Sequence, residues 1–162
     1  MLEKKPDFED LIQAINKSGA RVVLIGGFAL IAHGSNNDTR DIDFAFARDK
    51  DTVKALVGAL APFKPRPREF PEDIPFVWDE QTLWNSTLLT LQTSVGKLDL
   101  LGETPGVENF EELYDHAKVI NLQGLPTRVA SLDHLIEMKK AAGRDRDAQH
   151  IQLLLDLKNS QT

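Results

Sequence analysis

The sequence predicts an α/β protein of the α+β kind: a mixed β-sheet of about four to six strands, flanked by helices and followed by two C-terminal helices. Three observations lead there. The run Val22-Val23-Leu24-Ile25 is apolar throughout and breaks at Gly26-Gly27, as a buried strand entering a tight turn would. From Asp41 to Ala47, acidic or small residues alternate with Ile42, Phe44 and Phe46, the period-two signature of a strand. Beyond Ser131, apolar residues return at helical spacing in two successive segments.

Phe8, Leu11, Ile12 and Ile15, behind Pro6 and Asp7 and ahead of Gly19, predict a first amphipathic helix. After the strand at 22–25, Phe28 to His33 reads as a short helix, and Gly34-Ser35-Asn36-Asn37-Asp38 as a polar turn into the strand from Asp41. Val53, Leu56, Val57 and Leu60 predict a second amphipathic helix over residues 50–61. The stretch from Pro62 to Pro75 holds five prolines and reads as a loop. From Phe76 to Leu101 the pattern predicts two or three further strands, with Trp78 and Trp84 among them. Thr87–Thr93 and Lys97–Leu101 pair as a hairpin across Ser94-Val95-Gly96. Phe110 to Ala117 predicts a helix and Lys118 to Leu122 an edge strand. Ser131, with Asp133 close behind, starts a helix through Leu132, Leu135, Ile136 and Met138, and a last helix after Gly143 should bury Ile151, Leu154 and Leu155. With no internal repeat or linker, a single domain is expected over 1–162, its core at about 20–122 and its C-terminal helical segment at about 131–158.

Composition narrows the chemistry. With 41% hydrophobic and 27% charged residues, the 162-residue chain has enough apolar content to fold on its own core. It has no cysteine, so disulfides, thiolate metal ligands and cysteine nucleophiles are excluded, leaving carboxylates, hydroxyls, histidines or bound metal. The charged start MLEKKPDFED lacks the apolar core of a signal peptide, and no apolar run approaches the roughly 20 residues of a membrane span, so a cytoplasmic protein without a membrane partner is expected. A formal charge of −6 repels polyanions and argues against extended DNA binding.

Asp41 and Asp43 stand two residues apart, which in a strand places both carboxylates on one face, about 7 Å apart along the backbone. Ile42 and Phe44 then point into the core. Two unpaired carboxylates this close repel each other, a cost that a divalent cation would remove. A solvated strand face is the plainer account of an isolated Asp-x-Asp. Two other features weigh against it: Gly26-Gly27 at a strand-to-helix junction, where backbone N–H groups can hold phosphate, and Asp99, an acid in the otherwise apolar Leu98-Asp99-Leu100-Leu101. If the Asp99 strand lies beside the Asp41 strand, three carboxylates converge, as in metal-assisted phosphoryl-transfer sites.

Ile25-Gly26-Gly27-Phe28-Ala29, followed by Thr39-Arg40-Asp41-Ile42-Asp43-Phe44 and later by Asp99 between Leu98 and Leu100, resembles the nucleotidyltransferase superfamily that shares the fold of DNA polymerase beta. His33-Gly34, Thr39-Arg40 and Leu135-Ile136-Glu137-Met138-Lys139 with Arg144 and Asp147 are similar to the nucleotidyltransferase toxins of bacterial abortive-infection toxin-antitoxin systems. The resemblance spans roughly residues 20–102 and 131–157. It implies a nucleotidyltransferase fold and a Mg²⁺-dependent (or Mn²⁺-dependent) transfer of a nucleoside monophosphate from a nucleoside triphosphate to a hydroxyl of RNA such as tRNA, of protein or of a small molecule. It also implies an antitoxin as a protein partner. Asp41, Asp43 and Asp99 would be both metal ligands and catalytic residues, with Asp99 the general base. Gly26, Gly27, Arg40 and Lys139 would contact the nucleotide phosphates. The chain departs from the family at Phe28, where many members place a serine that contacts the triphosphate, and the sequence ends soon after the two C-terminal helices, where many members continue into a domain that grips the acceptor.

Other residues have plainer expectations. His33 is a helix end or surface group, Lys64, Arg66 and Arg68 are solvated loop cations, and Arg144, Asp145, Arg146 and Asp147 form a salt-bridged helix start. The alternative to an enzyme is a non-catalytic nucleotide- or partner-binding module of the same fold, against which the three carboxylates speak. A haloacid-dehalogenase phosphatase would place a small polar residue soon after the acidic pair, where this chain has Phe44-Ala45-Phe46.

Overall fold

The computed structural model describes residues 7–36, 38–143 and 147–160. Helix α1 (Glu9–Ser18) buries Leu11, Ile12 and Ile15 and ends at Gly19. Strand β1 (Val22–Ile25) is buried at all four positions, as its unbroken apolar sequence requires, and α2 (Gly26–Ala32) follows directly. Next come β2 (Asp41–Phe46) and α3 (Lys50–Leu60), the latter capped by Asp49, whose carboxylate accepts from the Thr52 amide at 2.7 Å. A 3₁₀ turn at Ala61–Phe63 leads to a two-residue strand, β3 (Arg66–Pro67). The chain continues through α4 (Glu80–Trp84), β4 (Leu88–Thr93), β5 (Gly96–Leu101), α5 (Phe110–His116), β6 (Lys118–Leu122) and β7 (Leu125–Val129). Helices α6 (Leu132–Ala142) and α7 (Asp147–Ser160) pack on each other at the end.

Seven strands form one mixed sheet in the order β3-β4-β5-β2-β1-β7-β6. Its centre is β5-β2-β1, with β2 parallel to β5 and antiparallel to β1. The expected hairpin is present as β4-β5, and β6 is an edge strand as anticipated. One strand more than the expected upper count arises because two proline-containing segments pair. β3 holds Pro67 and lies at the sheet edge, where a missing N–H costs nothing. β7 holds Pro126, but its contact with β1 is registered only at its far end, Leu24 opposite Val129, so the proline sits outside that ladder. β7 also carries the sheet beyond the core boundary expected near 122.

Trp78 and Trp84 are not in strands. Trp84 closes α4, a single turn capped by Asp79, too short for a helical period to register in the sequence. Trp78 lies in the preceding loop and donates its indole N–H to Val57 O at 3.0 Å. In α7, Leu154 is fully buried whereas Leu155 is 38% exposed, contrary to expectation. Successive helical residues are rotated by about 100°, so a narrow stripe of Ile151 and Leu154 can face α6 while Leu155 cannot. Arg144 to Arg146 and the side chain of Asp147, expected to form a salt-bridged helix start, lie outside the described residues. Among the described residues no helix is long and apolar enough to cross a membrane.

The core is continuous from α1 across the sheet to α6 and α7. Phe8 and Phe28 meet edge to face at 5.5 Å, a contact worth about 0.5–1.5 kcal/mol beyond the area buried. Between β5 and α5 the chain presses Gly106, at φ 94°, against α6: a Cβ there would lie 2.4 Å from the Glu137 carbonyl oxygen. Gly106→Ala should therefore cost about 2–4 kcal/mol, from backbone strain together with overpacking against a main-chain atom. Thermal denaturation checks this, and a melting temperature equal to wild type would contradict the packing described.

Candidate functional site

One row of residues crosses the sheet and gathers the candidate site residues. Asp43 of β2 is in register with Asp99 of β5 on one side and with Ile25, the last residue of β1, on the other. Asp99 is in turn opposite Thr90 of β4, and the Arg68 amide donates to Thr90 O at 3.1 Å just beyond β3. Opposed residues on neighbouring strands project to the same face, so Asp43 and Asp99 stand side by side, with Arg68 two strands further out. Asp41 lies two residues before Asp43 and shares its face, while Ile42, Phe44, Leu98 and Leu100 are buried on the other.

Asp43 and Asp99, but not Asp41, border a cavity of about 290 Å³ that also receives Gly26, Gly27 and Leu30 of α2, Leu135, Met138 and Lys139 of α6, and Leu154 of α7. Its largely apolar walls withdraw solvent from the acids. Asp43 responds most: burial, then the charge of Asp99 and a hydrogen bond shared with it, then the charge of Asp41, push its carboxyl up to about 8, against a smaller lowering by Lys139. At neutral pH Asp43 therefore retains its proton.

Arg68 supplies a counter-charge. Its Nη2 lies 2.8 Å from Asp99 Oδ1, and its Nη1 donates to Leu91 O at 2.9 Å, both side chains of the ion pair being about one-fifth exposed. Asp99 Oδ1 is buried and accepts no directed hydrogen bond, so the contact with Arg68 is an ionic one whose N–H vectors miss the oxygen. Such an acceptor retains capacity for a cation. Together with the protonated Asp43 and the three-carboxylate, all-oxygen donor set, this fits a divalent metal of the Mg²⁺ or Mn²⁺ type.

The glycine pair is explained by proximity. Gly26 has φ 72°, and a Cβ on it would sit 2.2 Å from Asp43 Oδ2; one on Gly27 would meet Thr39 at 2.8 Å. Any side chain at 26 would displace the acid, so glycine lets the end of β1 pass against the carboxylate.

The remaining candidates separate. Lys139 reaches the cavity. Arg40 is exposed immediately before β2 and does not line that cavity. His33 ends α2, and its Nε2 is 2.8 Å from Ala130 O, a structural tie to the segment after β7. Phe28 is buried against Phe8, a packing role at the position where the serine was expected. Arg66 and Arg68 are not solvated loop cations: Arg66 donates to Ile74 O at 2.6 Å and stacks over Phe70, and Arg68 joins the acids. The proline-rich sequence around Arg68 conceals it, since only pairing of β3 with β4 aims it inward; its one sequence signal is an arginine within a short stretch bearing other cations.

No family model matches the chain, and no curated protein matches it in sequence. Solved structures do match. ANT(2'')-Ia, in complex with adenylyl-2''-tobramycin, superposes with a TM-score of 0.61 at 14% identity, over 96% of this chain and 87% of that one. The proposed nucleotidyltransferase TM1012 from Thermotoga maritima gives 0.59 at 13% identity, over 92% and 90%. At such identities the likeness is one of architecture: this chain has a nucleotidyltransferase-like fold, a mixed seven-stranded sheet flanked by helices with two helices at its C-terminal end.

Proposed function

We propose that the chain is a metal-dependent nucleotidyltransferase, moving a nucleoside monophosphate from a nucleoside triphosphate to a hydroxyl acceptor. The observation that carries this reading is the register that sets Asp43 beside Asp99, with Asp41 on the same face, at the wall of a cavity reached by Lys139. ANT(2'')-Ia, which shares the fold, is held with an adenylylated aminoglycoside, which supports adenylyl transfer to a hydroxyl here too.

Asp41, Asp43 and Asp99 would hold Mg²⁺ or Mn²⁺, and the bound cation would neutralise charge developing on the phosphates. In the transfer, the acceptor hydroxyl oxygen bonds to the α-phosphorus, the bond from that phosphorus to the pyrophosphate oxygen breaks, and the hydroxyl proton passes to the Asp99 carboxylate. Asp99 as general base contributes about 10²- to 10⁴-fold. Lys139 offers a point charge to the phosphates from α6, the backbone of Gly26 and Gly27 lines the cavity beside Asp43 where it would face them, and Arg40 meets the outer part of the nucleotide from the entry to β2. The apolar walls from Leu30, Leu135 and Met138 reduce solvent beside the acids, which favours a hydroxyl over water as the acceptor. An RNA or protein acceptor would place the chain with the nucleotidyltransferase toxins and their antitoxin partners; a small molecule would place it with the aminoglycoside-type enzymes.

Incubation with each ribonucleoside triphosphate labelled at the α-phosphate, Mg²⁺ or Mn²⁺, and a cell extract should transfer label to one acceptor class, which identifies the acceptor. Asp41→Asn and Asp43→Asn should each lower transfer by at least about 10²-fold while melting no earlier than wild type. Equal transfer by wild type and variants would remove the metal-site reading, and absence of transfer together with absence of nucleotide binding would leave a non-catalytic module. The raised carboxyl of Asp43 sets a pH signature. Its folded value of about 8 exceeds the ordinary carboxyl value of 3.8, so folding takes up a proton and this group's stabilisation, complete below pH 3.8, is lost as pH rises through about 8. The metal-free protein should accordingly lose melting temperature from pH 6 to pH 9. Saturating Mn²⁺, which replaces that proton, should shrink the loss, and Asp43→Asn should abolish the difference between the two conditions.

A further inference from the structure

Away from the carboxylates, α5 and the first turn of α6 bring together Glu112, His116 and His134. One ligand atom from each lies within 4.8 Å of the others. Glu112 and His116 are four residues apart on one face of α5, the helical spacing at which two side chains reach a common point. His134 enters from α6, held in place by its amide, which donates to the capping Ser131 hydroxyl at 3.1 Å. The two imidazoles meet edge to face at 5.4 Å.

The side-chain contacts within the cluster are long ones. His116 Nδ1 lies 3.0 Å from the main-chain oxygen of Glu112. The same nitrogen is 3.4 Å from Glu112 Oε1, so it is Nδ1 that faces the carboxylate and would turn from the main chain to a shared cation. His134 Nε2 is 3.9 Å from Glu112 Oε1, too long for a hydrogen bond, and its Nδ1 is buried with no hydrogen-bond partner. Nε2 is the nitrogen of this ring that faces the carboxylate and would take the cation. Ligands around a tetrahedral zinc lie about 3.3 Å apart, so the separations here close by small rotations of the partly exposed Glu112 and His116.

We propose that Glu112, His116 and His134 form a site for a zinc-type transition-metal ion, separate from the carboxylate cluster, that fastens α5 to the start of α6. Two imidazoles and one carboxylate favour Zn²⁺, Co²⁺ or Ni²⁺ over the hard cations suited to Asp41, Asp43 and Asp99. Three protein ligands leave one coordination position to solvent. Leu135, Met138 and Lys139 on α6 line the main cavity, so the ion would steady the helix that carries them.

The test uses untagged full-length protein in the Asp41→Asn/Asp43→Asn background, where the carboxylate cluster cannot compete. Co²⁺ titration followed by visible absorbance should show one bound ion, displaced by Zn²⁺, and Zn²⁺ should raise the melting temperature. His116→Ala, at a largely exposed position that leaves the fold intact, should lose both signals. Absence of Co²⁺ and Zn²⁺ binding in that background, or binding retained by His116→Ala, overturns the proposal.

Discussion

Two carboxyl groups held side by side in a half-closed, largely apolar cavity are the constraint around which this structure is arranged. The parallel pairing of β2 with β5 puts Asp43 against Asp99 and leaves neither free to turn away. Isolated, such a pair would be costly, because burial removes the solvent that screens like charges. The surroundings offset the cost in three ways: a proton retained on Asp43, the Arg68 guanidinium against Asp99, and the charge of Lys139 from α6. Each offset is reversible. A proton can leave, and an ionic contact without directed hydrogen bonds can give way to a cation.

The rest of the fold keeps that pair rigid. Ile42, Phe44, Leu98 and Leu100 anchor the reverse face of the two strands in the core, so the acids ride on backbone that cannot relax away from them. Gly26 lets the end of β1 pass within contact of the Asp43 carboxylate, where any Cβ would intrude. Helices α6 and α7 close the cavity, and Gly106 locks the loop after β5 onto α6. Position and closure thus come from different parts of the chain, the sheet supplying the acids and the C-terminal helices supplying the wall.

This division of labour bears on how the two groups of candidate metal ligands relate. The carboxylates lie on the sheet and offer only oxygen, whereas Glu112, His116 and His134 lie between helices and offer nitrogen as well. α6 is common to both, with His134 in its first turn and Lys139 about a turn and a half later. Anything that fixes the first turn of α6 therefore fixes the cation that faces the acids.

Local pattern alone determined a good part of this protein. The apolar run of β1, the alternation of β2, the hairpin of β4 and β5, the Ser131 cap of α6 and the identity of the three acids all follow from neighbours within a few residues, where periodicity and turn chemistry act. The sequence could also state the condition for a site, that the Asp99 strand lie beside the Asp41 strand, but not that it is met. Register between strands 56 residues apart, as for Asp43 and Asp99, is decided by which faces pack into a shared core, and no local window contains that information. The same reason explains the misses. Arg66-Pro67 and Leu125–Val129 are poor strands by composition and become strands only because a neighbouring edge accepts them, and α4 is too short to show a period. Arg68 reads as a loop cation until β3 docks on β4, and the Glu112, His116 and His134 cluster exists only because two helices meet, so both were settled by long-range packing alone.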